Sequence, residues 1–199
     1  MSKRYIERTV DISGFYVLEL PEFLSGLIVK GGFYCSNNQL KTLKNAPAEV
    51  AGSFSCKDNK ITSLEGIPNT LGYSIDIRYN KLTSLKHSPS RVTGDFVCSH
   101  NLLKNLDFGP TIIESSGKQV DGDYNCAYNS LVTLRGAPQM VTGSFNCQNN
   151  ILSDLEGAPK EVGKDFICIN QRARPGYDPV VFTEEQVRAV CKVGGKVYV

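Results

Sequence analysis

The 199-residue sequence lacks an excess of either charge: 22 Lys and Arg stand against 20 Asp and Glu, a formal net charge of +2. Proteins that bind nucleic acid or membrane surfaces electrostatically usually carry a clear basic excess, so the balance argues against that class. No apolar stretch approaches the ~18 residues that suggest a membrane span. Behind the basic start, MSKRYIERTVDISG, no apolar run follows, so no signal peptide is expected and a cytoplasmic location is. The N-x-Ser/Thr glycosylation signal is missing, in agreement. Catalytic signatures are missing too: there is no G-x-S-x-G, H-E-x-x-H, G-x-G-x-x-G or C-x-x-C. The segment 157–165 looks like a phosphate-binding loop, but its glycines are one residue too far apart and Asp165 stands where Ser or Thr must reach magnesium. No enzymatic activity and no cofactor are expected.

What the chain has is a repeat. Asparagines fall at Asn38, Asn59, Asn80, Asn101, Asn129 and Asn150, with Gln171 in the next place; the steps are 21 residues, except one of 28. Five residues before each comes Phe33, Phe54, Ile75, Phe96, Tyr124, Phe145 or Phe166, and three before comes Cys35, Cys56, Ile77, Cys98, Cys126, Cys147 or Cys168. Leucine or isoleucine follows at two places after the Asn and leucine at five (Leu40 and Leu43 in the first unit), then proline. The unit is P-x-x-V-x-G-x-F-x-C-x-x-N-x-L-x-x-L-x-x-x.

A fixed period of this length predicts a repeat solenoid. Phe and Cys, two apart, share one face of a short strand. Successive coils stack these strands in parallel, about 4.8 Å apart, into a sheet on the concave face. The Asn sits where the chain turns, and its amide is expected to bond backbone groups of its own and neighbouring coils. The leucines fill the core, and proline holds the convex return extended, with no room for a helix.

The string in Pro138–Leu155, PQMVTGSFNCQNNILSDL, resembles the short bacterial type of leucine-rich repeat, found in secreted bacterial effectors and in small reading frames of bacteriophages and large viruses. The likeness covers residues 27–171, about seven repeats. Two departures stand out: Val and Phe are four apart where the usual pattern has three, and Cys replaces Val or Leu. The resemblance implies a host-interacting role, including anti-defence activity, in the host cytoplasm if the protein is viral.

The ends read as caps. Residues 1–26 suggest a strand or hairpin cap, and residues 172–199 a C-terminal cap. In the latter, Thr183 and Gln186 form a capping box for a short helix over the last coil, ended by Gly194 and Gly195 before a final strand. The 28-residue step is read as an insertion at 111–119, between Pro110 and a consensus Val120. Arg172 and Arg174 would either extend the strand face or pack against the cap.

Six of the seven cysteines occupy one repeat position at spacings no zinc site uses, so they are expected in the core, reduced, with no metal. Of the two histidines, His87 falls on the variable convex stretch and His100 on the strand. Folding does not dictate the outward strand residues, and those of the middle coils concentrate Lys57, Asp58, Asp76, Arg78, Tyr79, Asp95, His100, Asp123 and Tyr128. Tyr and Arg are residues that protein-binding hot spots favour, and Tyr79, His100 and Tyr128 are expected to stack on adjacent strands. A solvated face is the bland reading of any one of them. The leading expectation is a monomeric, non-enzymatic module that binds a partner protein through its concave strand face. The alternative is a small molecule or nucleotide held by Lys57, Arg78, Tyr79 and His100.

Overall fold

The computed structural model describes residues 4–115, 121–173 and 175–199. It is a parallel β-solenoid. One ladder holds nine two-residue strands in chain order: Val10–Asp11, Phe33–Tyr34, Phe54–Ser55, Ile75–Asp76, Phe96–Val97, Tyr124–Asn125, Phe145–Asn146, Phe166–Ile167 and Val197–Tyr198. Each pairs with the next in register, Phe33 with Phe54 and Phe54 with Ile75, so equivalent residues of successive coils form continuous columns.

The Phe, Cys and two Leu columns point inward as their spacing requires. Phe33, Phe54, Ile75, Phe96, Tyr124, Phe145 and Phe166 are all fully buried. Their rings stack along the axis, Phe96 on Tyr124 at 5.3 Å and Tyr124 on Phe145 at 5.6 Å. All seven cysteines are free and buried. Burial pushes the Cys35 and Cys98 thiols up to about 12, which makes them poor nucleophiles and poor metal ligands.

The Asn column closes the coil. Asn101 Nδ2 donates to the carbonyls of Ile77, Cys98 and Ser99, while its Oδ1 accepts from the Leu82 N–H. Asn59, Asn80, Asn129 and Asn150 repeat the pattern, and Gln171 makes the equivalent bonds to Cys147, Cys168 and Leu152. Each Asn amide thereby bonds at least four backbone groups at the turn, and Gln171 three.

Several features depart from the sequence reading. The valine segment is a second parallel ladder rather than a plain extended return. It runs in two pieces, of four strands (Tyr5–Ile6, Ile28–Val29, Glu49–Val50, Thr70–Leu71) and of five (Arg91–Thr93, Ile112–Glu114, Met140–Val141, Glu161–Val162, Lys192–Val193). Glycine between the two ladders lets coils touch at this corner. A Cβ on Gly143 would lie 2.8 Å from the Gly122 carbonyl oxygen and would collide with Asp123 Oδ1.

The expected insertion at 111–119 begins too early. Ile112–Glu114 pairs with Arg91–Thr93 and with Met140–Val141, and buried Ile113 fills the valine column. The extra residues therefore follow Glu114, and Val120 and residues 116–119 lie outside the described residues. The ends continue the ladder instead of closing it with separate elements. Tyr5–Ile6 and Val10–Asp11 add a parallel coil at the start, with no hairpin. At the other end the capping box at Thr183 starts helix α1 (Glu184–Val190), which stops before the two glycines. Gly194 and Gly195 join the strands of a ninth coil, with Val193 and Val197 in the valine and phenylalanine columns. Among the described residues no helix is long and apolar enough to cross a membrane.

Candidate functional site

Eight of the nine coils carry a left-handed residue at one shared position, which in six of them immediately precedes the Asn and in a seventh Gln171. Gly14, Asn37, Asp58, Tyr79, His100, Tyr128, Asn149 and Asn170 all have positive φ, between 53° and 75°. The twist there swings the next side chain inward, which is what puts the Asn amide into the coil. For most side chains the left-handed region costs about 1–2 kcal/mol, and Asn, Asp and Gly tolerate it best. Five of the eight coils use one of those three. The three middle coils use Tyr, His and Tyr.

The expected stack of these rings is present. Tyr79 lies on His100 at 4.1 Å between centroids and 18° between planes, and His100 on Tyr128 at 4.3 Å and 10°. Each such pair contributes about 0.5–1.5 kcal/mol, which offsets much of the backbone cost. The tyrosines remain 47% and 45% exposed. Both faces of the imidazole are covered, and the column presents ring edges to solvent. Burial between the rings, and secondarily the charge of Arg78, hold the His100 pKa below its ordinary value.

Beside the rings runs a second column, Lys57, Arg78, Ser99, Ala127 and Gln148, then a third, Ser55, Asp76, Val97, Asn125 and Asn146. Arg78 Nε is 3.2 Å from Asp76 Oδ2, and Asp76 also accepts the Arg78 backbone N–H. Burial raises the Asp76 pKa; that backbone bond and the charges of Arg78 and Lys57 pull it back. Beyond Arg78 the second column shrinks to Ser99 and Ala127, both buried. The gap is a cleft of about 120 Å³ lined by Arg78, Tyr79, Ser99, His100, Asn125, Ala127, Tyr128 and Gln148.

Seven of the nine expected site residues thus share neighbouring positions: Lys57, Asp58, Asp76, Arg78, Tyr79, His100 and Tyr128. Asp95 and Asp123 do not join them. They stand at the other end of the strand, where Asp95 Oδ1 accepts the Asp123 N–H at 2.9 Å and Asp123 Oδ1 accepts the Ser144 N–H. Ser74 and Asp165 make the same bond in their coils, so the position serves the corner between ladders. Of the tail arginines, Arg172 donates to the Asn129 carbonyl, and Arg174 lies outside the described residues. The cleft's small floor residue Ala127 was findable from the sequence, because it holds the same offset as Arg78. Its smallness, which makes the gap, is what hides it from a search for chemically active side chains.

Neither known protein families nor curated proteins nor solved structures yield a match to this chain. The geometry of the face is therefore the ground for a functional reading.

Proposed function

We propose that the protein is a non-enzymatic interaction module of the leucine-rich-repeat kind, acting in the cytoplasm, that binds a partner protein through the face carrying Arg78 and the Tyr79–His100–Tyr128 column. One observation carries the reading. At a backbone position that favours Asn, Asp or Gly, three consecutive coils place large rings, and two of them stay half in solvent. Folding would be served at least as well by the residues of the flanking coils. Exposed Tyr beside Arg supplies rigid contact area with polar tips, the composition of an interface centre.

A nucleotide or other small ligand fits the same face less well. Enclosing sites for such ligands run to roughly 300 Å³ and above, and the cleft has about 120 Å³. A base cannot stack on His100, whose faces are both taken. The likeness of the repeats to those of phage and bacterial effectors supplies the setting: a factor directed at host proteins, with anti-defence action as its sharpest form.

The test uses affinity capture from lysate of the cells in which the protein acts, with wild type beside the triple variant Tyr79→Asn, His100→Asn, Tyr128→Asn. Asparagine suits the left-handed backbone, so the variant is expected to fold, which thermal unfolding checks. A protein captured by wild type and lost by the folded variant supports the reading. Equal capture by both moves the interface off this face.

A further inference from the structure

The cleft beside the ring column has one charged wall. Arg78 is the only ionic residue among those lining it; the rest are Ser, Ala, Asn, Gln and the edges of Tyr and His rings. Among the described residues the Arg78 guanidinium meets Asp76 as an ion pair and makes no side-chain hydrogen bond, and its Nε is buried without a hydrogen-bond partner. Asp76 sits two residues back in the same coil and does not line the cleft. Lys57, one coil further back, adds a second positive charge near Asp76. Asp58, at the turn of that coil, is exposed and is likewise outside the cleft. A guanidinium has five donors in a rigid fork shaped to a carboxylate, and most of that capacity is unspent here.

The cleft's volume is that of a single side chain, and its amides, Asn125 and Gln148, add neutral hydrogen-bonding groups opposite the rings. We infer that the cleft is the anchor pocket of the interface and takes a glutamate side chain of the partner, its carboxylate on Arg78 and its methylenes over Ala127 against the ring edges. This rests on the reading of the face as a protein-binding surface and specifies what the partner presents to it. Aromatic edges carry the positive rim of the ring quadrupole, so they too favour an anionic group lying beside the column.

The probe is N-acetyl-glutamate N-methylamide, titrated into the intact protein and followed by NMR at the Arg78 Nε–H and the His100 ring, with the glutamine analogue as the neutral control. Saturable shifts at both groups are expected, with binding about tenfold tighter for glutamate than for glutamine. Arg78→Gln should remove that preference, and Arg78→Lys should restore only part of it, because an ammonium keeps the charge and loses the fork. Equal binding of the two analogues would overturn charge recognition in the cleft. Tighter binding of a phosphoserine analogue would overturn the carboxylate assignment in favour of phosphate. No binding at all would overturn the anchor, while leaving intact any capture of a partner that depends on Tyr79, His100 and Tyr128; loss of that capture dependence would instead remove the face itself.

Discussion

Two columns of side chains run the length of this solenoid one residue apart in sequence, and they obey different rules. The inner one is Asn in six consecutive coils and Gln171 in the next, buried or nearly so, with each amide tied to three or more backbone groups. The outer one changes from Asn to Asp to Tyr to His to Tyr and back to Asn, although all its members share the same backbone twist. The inner column is uniform because a side chain without an amide strands an N–H inside the turn and takes donors from the carbonyls around it. The outer column is restricted only by its φ, and there the middle coils choose against backbone preference. Uniformity marks what folding demands; costly departure from the local optimum marks where something else is being served.

Replacing one inner amide should therefore hurt far more than replacing an outer ring. Asn101→Ala leaves the Leu82 N–H bare and removes one donor from the Ile77, Cys98 and Ser99 carbonyls, which keep Asn80 Nδ2, Asn129 Nδ2 and the Tyr79 N–H respectively. The bare N–H costs about 1–3 kcal/mol and the lost carbonyl bonds about 0.5–1.5 kcal/mol each, which do not simply add, so a loss of about 3 kcal/mol is expected in urea unfolding. Tyr79→Asn or Tyr128→Asn trades lost stacking for a relaxed left-handed residue and should stay within about 1 kcal/mol of wild type. Comparable losses at both columns would break the distinction.

The comparison sharpens at Tyr124, an inner position that breaks its own column's rule. Its neighbours Phe96 and Phe145 have no polar atom, whereas the Tyr124 hydroxyl is buried without a hydrogen bond. The Cys98 thiol beside it is a weak partner at best. Tyr124→Phe should stabilise the protein by about 1 kcal/mol, a rise of roughly 2–4 °C in Tm for a chain of this size. A fall in Tm would mean that the hydroxyl has a partner in solution, such as a water held next to the coil.

The inner columns were legible from the sequence because burial and a 21-residue period impose the same side chain again and again. Phe, Cys, Asn and the leucines could be placed, the amide bonding anticipated, and the ring stack located from three residues at one offset. The second ladder was harder, since a single valine per coil shows no alternation. The final strand was expected and is present, but that both ends continue the ladders as whole coils was missed for a related reason. Ile6, Val10 and Ile12 at one end and Val193, Val197 and Val199 at the other keep the apolar spacing of valine, phenylalanine and cysteine, but they lack the Asn that flags a repeat. Ile113 and Val120 are both apolar and lie within seven residues of each other, and only strand pairing decides that Ile113 belongs to the column. Asp95 and Asp123 looked like exposed charge because a carboxylate that accepts a backbone N–H in the next coil cannot be told by type from one that faces a partner.

The smallest effect tests the outer column from inside the stack. Two influences act on His100 in opposite directions. Tyrosine faces on either side would favour the imidazolium through cation–π attraction, whereas burial and the nearby Arg78 charge favour the neutral ring and lower the pKa from its ordinary value. Above the unfolded-state pKa of about 6.5 the histidine is neutral in both states and its contribution to stability is complete. As the pH drops through that value the unfolded chain takes up the proton first, and stability declines until the folded pKa is also passed, after which the loss stops growing. A shallow drop in Tm between neutral and mildly acidic pH should therefore trace to His100 and vanish in His100→Asn. In Arg78→Gln the drop should shrink, with the ring titrating closer to its ordinary value by NMR. If the ring instead titrates above that value, the tyrosine faces outweigh burial, and the column is a cation trap at neutral pH rather than an uncharged stack.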